Sequence, residues 1–138
     1  MNSLNKEKII TLTSQAKKAI AALKEYARLP AAEVLGNLER VGNMKYQFII
    51  AIEACIDICQ HVSAKMFSEA PESYASCFAI LREKRILEQP LADELGELAR
   101  LRNVLVHLYW KVDDERVVEN LQKLDALESF LRTIQNLL

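Results

Sequence analysis

Arg102, Asn103 and His107 set a guanidinium, a carboxamide and an imidazole into an otherwise apolar stretch, Arg102-Asn103-Val104-Leu105-Val106-His107-Leu108-Tyr109-Trp110. An unpaired polar group in apolar surroundings costs several kcal/mol, and a charge more, so a neighbouring helix or a substrate must receive these groups. A neutral imidazole, with an ordinary pKa near ~6.5, takes or gives a proton at cellular pH. A guanidinium stays charged and presents a planar fork to phosphate oxygens. A carboxamide can orient the imidazole or donate to a developing oxyanion. Together they suit metal-free phosphodiester cleavage, in which a 2′-hydroxyl is deprotonated, attacks its own phosphorus and expels the 5′-oxygen.

That reaction needs both an acid and a base, and the stretch holds one of only two histidines in the chain. A two-fold dimer would supply a second His107 and a second Arg102 across its axis. The alternative is structural: Arg102 pairs with a carboxylate, His107 bonds a backbone carbonyl, and the face is ordinary packing.

The elements that must position these residues read as helices throughout, because the long segments follow the 3.6-residue period and none sustains alternation. A first helix is predicted from about Asn5 to Ala27, with Ile9, Leu12, Ala16, Ala19, Ile20 and Leu23 on one stripe. Leu29-Pro30 ends it. A second is predicted from near Pro30 to Phe67, with Gly42 its weakest point and an apolar centre from Tyr46 to Cys59. Ser73 caps a short third helix to about Glu83, and Gln89-Pro90 opens the fourth, which carries the Arg–His stretch. Asp113-Asp114 caps a last helix with Val117, Leu121, Leu124, Leu127, Leu131, Ile134 and Leu138 at helical spacing. The expected fold is all-α, an antiparallel four- to five-helix bundle, one domain over residues 1–138.

On the fourth helix, about 100° per residue separates a bulky stripe of Leu98, Leu101, Leu105 and Leu108, the expected core face, from Arg102, Asn103 and His107. Leu95, Gly96, Ala99 and Val106 lie beside those three, so this second side is expected to be covered or to line a cleft. It is also where a dimer could form.

Composition sets limits on function. At 138 residues with 51% apolar content, the chain can bury a core without metal or disulfides. A net charge of −1 argues against broad duplex binding and for a local cluster of cations. No uncharged apolar run of ~18 residues and no signal-peptide layout are seen, so a cytoplasmic location without membrane contact is expected. Cys55, Cys59 and Cys77 lack zinc-ligand spacing and are expected to be reduced core thiols.

Glu53, Asp57 and His61, four apart, climb one side of the second helix. A metal site is one reading, but the Glu-x-x-His spacing of di-iron bundles is absent. The favoured reading has them support the cleft, pairing with Arg102 or Arg100 or orienting His107. No metal or cofactor is called for. Tyr74 and Tyr46 could reach a cleft, although aromatics at helical spacing usually pack in cores.

Arg-x4-His-x-Tyr, Arg102 to Tyr109, resembles the signature of the HEPN superfamily, specifically of HepT-type toxins. Tyr46 to His61 is similar to that family's second helix, and Ser73 to Leu81 to the segment after it; the likeness covers essentially the whole chain. It implies a helical bundle dimerising around a composite cleft, metal-independent RNA cleavage, and Arg102 with His107 as the catalytic pair, accompanied by Asn103. It further implies an MNT-type nucleotidyltransferase antitoxin as partner, with Tyr109 in the place of a tyrosine that receives AMP. Bulk and negative charge there would oppose RNA entry. Packing at an interface is the other reading of Tyr109 and Trp110. A non-catalytic HEPN subunit that holds a nucleotide or a partner enzyme is the rival to the nuclease.

Overall fold

A computed structural model describes residues 4–138, and all its regular structure is helical. The helices are α1 (Lys6–Ala27), α2 (Ala31–Leu35), α3 (Leu38–Phe67), α4 (Tyr74–Glu83), α5 (Gln89–His107), α6 (Asp114–Glu119) and α7 (Leu124–Gln135). Short 3₁₀ turns occupy Tyr109–Lys111 and Asn120–Lys123. Five of these, α1, α3, α4, α5 and α7, form the bundle, as the periodicity predicts.

Local chemistry explains most of the boundaries. The Asn5 side chain accepts from the Lys8 N–H and caps α1. Ser73 and Ser76 cap each other reciprocally at the start of α4. Pro90 sits in the first turn of α5, where its missing N–H costs nothing.

Four features differ from expectation. The break after α2 falls at Gly36–Asn37, because the Asn37 side chain accepts from the Arg40 N–H and caps a new helix there. Gly42, the expected weak point, lies inside α3 with open space around it. The last helix is divided by the 3₁₀ turn at Asn120–Lys123. And α5 stops at His107, so Tyr109 and Trp110 leave the helix and enter a turn in which Lys111 N donates to Leu108 O at 2.7 Å.

The central element is α3. It is long and apolar enough to cross a membrane by length and composition, yet 61% of its most apolar window is buried in the bundle. Phe48, Ala51, Ile52, Cys55, Ile56, Ile58, Cys59 and Val62 all lie inside, packed by α1, α4, α5 and α7. Phe78 of α4 meets Phe130 of α7 edge to face at 5.4 Å, joining two helices distant in sequence. The three thiols are buried and free, as expected.

The core face of α5 is rotated from the expected one. Leu95, Gly96, Leu98, Ala99 and Leu105 are buried, whereas Leu101 is only half-buried and Leu108 is exposed. Ala92, Gly96 and Ala99 are small, and α4 and α3 pack onto this helix. Close approach at small side chains outweighs the larger leucines on the neighbouring arc. The side expected to offer a dimer surface is therefore covered by the protomer's own helices from Ala92 to Ala99, and only its end, at Val106 and His107, is open.

Candidate functional site

The open end of α5 meets the start of α4 in a shallow depression of about 430 Å³, lined by Ser73, Tyr74, Arg102, Asn103, Val104, His107 and Leu108. The three residues singled out by their chemistry thus line one surface. Each is placed by a different constraint.

Arg102 points into the packing between α5, α3 and α4, and its side chain is 12% exposed. Its Nε and Nη2 both donate to Oε1 of Glu53, at 2.9 and 2.5 Å. The guanidinium lies over the Tyr74 ring, 4.9 Å from its centroid, a cation–π contact in a partly dry setting. Nη1 donates to Asn103 Oδ1 at 3.2 Å. A guanidinium has five N–H bonds. Three are taken, which leaves two without a protein partner among the described residues, on a side chain that lines the depression.

Asn103 accepts from Arg102 through its oxygen, which leaves its amide N–H groups as the remaining donors of the side chain. His107, in the last turn of α5, is exposed, and among the described residues no side chain bonds to its imidazole.

Of the acidic side of α3, Glu53 reaches the site as the carboxylate under Arg102. Asp57 is exposed and one turn farther along, within electrostatic range of both Glu53 and Arg102. Partial burial and the Glu53 charge push its carboxyl above the usual range, against the lowering pull of Lys8 and Arg102. His61 does not join them. Its Nε2 accepts the backbone N–H of Asn5 at 3.0 Å, so it docks the start of α1 onto α3. Burial, then Lys8 and Lys65, hold its pKa below the ordinary value. The expected Glu53–Asp57–His61 support is thus split between two tasks. Among the described residues, no three His, Cys, Asp or Glu side chains gather in an arrangement able to hold a metal ion.

Tyr74, one of the two tyrosines expected to be able to reach a cleft, lines the depression, and its ring backs the guanidinium. The helical spacing that makes an aromatic read as core gives no sign of this. Tyr46 is exposed and does not line the depression. Beyond His107, Tyr109 and Trp110 are 69% and 65% exposed and touch edge to face at 5.5 Å. With Val106 and Leu108 they form an exposed apolar patch beside the depression.

The chain is similar to known proteins in sequence and fold. The family description "Ribonuclease HepT-like" matches residues 16–134. The mRNA nuclease HepT of Shewanella oneidensis is 34% identical over 84 residues, 60% of this chain and 63% of that protein, so the match spans just under two thirds of the relative. A solved structure of a tri-AMPylated Shewanella oneidensis HEPN toxin in complex with an MNT antitoxin superposes with a TM-score of 0.85 at 26% identity, covering 99% of both chains. A toxin–antitoxin structure with AMP-PNP gives 0.82 at 25% identity, covering 97% of this chain and 99% of the other.

Proposed function

The chain belongs to the HepT-like ribonuclease family, and we propose that it is the toxin of a toxin–antitoxin pair, a metal-independent endoribonuclease acting in a cleft that two copies compose. The observation that carries this reading is the contrast within one depression between a guanidinium held on three sides and an imidazole that, among the described residues, no side chain holds. A purely structural pair would show both groups satisfied. Here the charged fork is fixed and the proton carrier is free.

In the proposed reaction, His107 of one copy removes the proton from the 2′-hydroxyl. The oxygen attacks the adjacent phosphorus, forming a 2′,3′-cyclic phosphate as the P–O5′ bond breaks. The leaving 5′-oxygen takes its proton from the imidazolium of the partner subunit's His107. The two spare N–H bonds of Arg102 and the Asn103 amide face the phosphoryl oxygens, where charge builds in the transition state. Glu53 and Tyr74 hold the fork in place, so little reorganisation is needed when the substrate binds. The apolar patch of Val106, Leu108, Tyr109 and Trp110 supports dimer formation around this cleft.

Tyr109 is proposed as the AMP acceptor for an MNT-type nucleotidyltransferase antitoxin. Its exposure two residues beyond His107, and the AMPylated relative, support this. A phosphodiester at that point brings negative charge to the mouth of a site built for phosphate.

The test is RNA cleavage by purified protein in the presence of a chelator. Wild type should cut, and His107→Ala should fall by at least about 10²-fold, the scale of general acid–base catalysis. If wild type leaves diverse RNAs intact while His107→Ala still binds them equally well, a non-catalytic binding subunit is the correct reading.

A further inference from the structure

A second groove runs along the outer face of α5, opposite its core face. Glu97, Arg100, Leu101, Val104 and Leu108 form one stripe of that helix, and Lys111, Val112, Asp113, Arg116, Val117, Asn120 and Lys123 make the facing wall, enclosing about 680 Å³. Val104 and Leu108 also line the catalytic depression, so the two spaces adjoin across these side chains.

The charges in this groove depart from the chain's overall balance. Four cations line it, Arg100, Lys111, Arg116 and Lys123, against the two acids Glu97 and Asp113. Glu97 is taken by Lys123 at 3.0 Å, and Asp113 accepts from the Glu115 N–H as the cap of α6. Among the described residues, Arg100, Lys111 and Arg116 make neither a hydrogen bond nor an ion pair through their side chains. Three unpaired cations thus stand over an apolar floor of half-buried Leu101, Val104 and Val112. In a protein of net charge −1, this concentration calls for an anionic occupant.

We propose that this groove carries the single RNA strand leaving the catalytic depression, Arg100, Lys111 and Arg116 contacting successive phosphates. The inference rests on the nuclease reading for the identity of the strand and adds the path the strand takes. Unpaired cations beside apolar surface suit a single strand, whose phosphates and base faces are both accessible. From Glu97 to Leu108 the helix rises about 16 Å. A stacked strand has one phosphate per ~3.4 Å, so this length accommodates about four or five nucleotides. A short substrate would fill the depression alone, whereas a longer one would also occupy the groove.

The experiment uses two 2′-O-methyl RNAs, a trinucleotide and a dodecamer, which lack the attacking hydroxyl and so report binding without cleavage. Arg100→Gln combined with Arg116→Gln should weaken dodecamer binding and make its salt dependence shallower by about 1.4 in log–log slope, two contacts at roughly 0.7 each. Lys111→Gln alone should remove about 0.7. Trinucleotide binding and cleavage of a short natural substrate should stay at wild-type levels. An unchanged dodecamer slope overturns the proposal, as does equal weakening of both RNAs. Loss of a protein partner with RNA binding intact also overturns it, assigning the groove to an acidic protein surface. If wild type binds the dodecamer steeply yet never cuts natural RNA, the nuclease reading falls while the strand path stands.

Discussion

Glu53 Oε1 accepts two hydrogen bonds from Arg102, from Nε at 2.9 Å and from Nη2 at 2.5 Å, across the packing of α3 on α5. The carboxylate takes the fork sidewise on one oxygen and Asn103 takes one N–H of Nη1, which leaves one N–H on each of Nη1 and Nη2. The same contact stabilises the fold and aims the site. That dual role separates the expected effects of changing each group.

Glu53→Gln should cost about 1 kcal/mol of stability in urea denaturation, less than the roughly 1.5–3 kcal/mol of a charge-assisted bond, because solvent reaches the carboxylate. Gln can still accept from Arg102 through its amide oxygen, but it no longer offsets the charge of a guanidinium that is only 12% exposed. RNA cleavage should fall as the fork loses its aim. A variant with unaltered midpoint and unaltered cleavage would remove Glu53 from the site.

Subunit mixing tests the composite cleft. If each cleft needs two imidazoles, wild type exchanged to equilibrium with an equal amount of His107→Ala should retain about one quarter of the all-wild-type activity, because only that fraction of random pairs is intact. Independent protomers would retain about half. Cleavage assays at constant total protein distinguish the two values.

His61 makes the start of α1 sensitive to acid. Its folded pKa lies below the unfolded one, so its contribution to stability is present above about pH 6.5 and is lost as pH falls through the folded value. Protonated Nε2 can no longer accept the Asn5 N–H. Acidification should lower the amide-exchange protection factors in the first turn of α1, taken relative to the intrinsic rate at each pH, and His61→Gln, which keeps an acceptor, should flatten that dependence. Equal pH profiles for both proteins would refute the assignment.

Cys55 is sealed beneath α3's neighbours, and burial pushes its thiol up to about 12. Reaction needs the thiolate, so native protein should resist iodoacetamide at this residue under mildly alkaline conditions. Full labelling should appear only after unfolding in urea, as read by peptide mass. Rapid labelling in the folded state would show that α3 opens far more readily than its packing implies.

What the sequence determined by itself was whatever depends on near neighbours. Ser73 before an apolar run, Pro90 after Gln89 and the stripe from Ile9 to Leu23 specify helices, because caps and 3.6-residue periodicity act within one or two turns. The Arg102–Asn103–His107 grouping was legible for the same reason, since residues of those types on two adjoining turns must share one end of a helix. Tertiary structure alone decided which arc of α5 faces inward, because the small side chains of Ala92, Gly96 and Ala99 count only when α4 and α3 arrive to pack on them. It chose Glu53 as the carboxylate for Arg102, 49 positions away, and sent His61, on the same side of α3, to the start of α1 instead. Which of several candidate partners a charged side chain meets is fixed by how the helices cross, and no periodicity within a single helix encodes that.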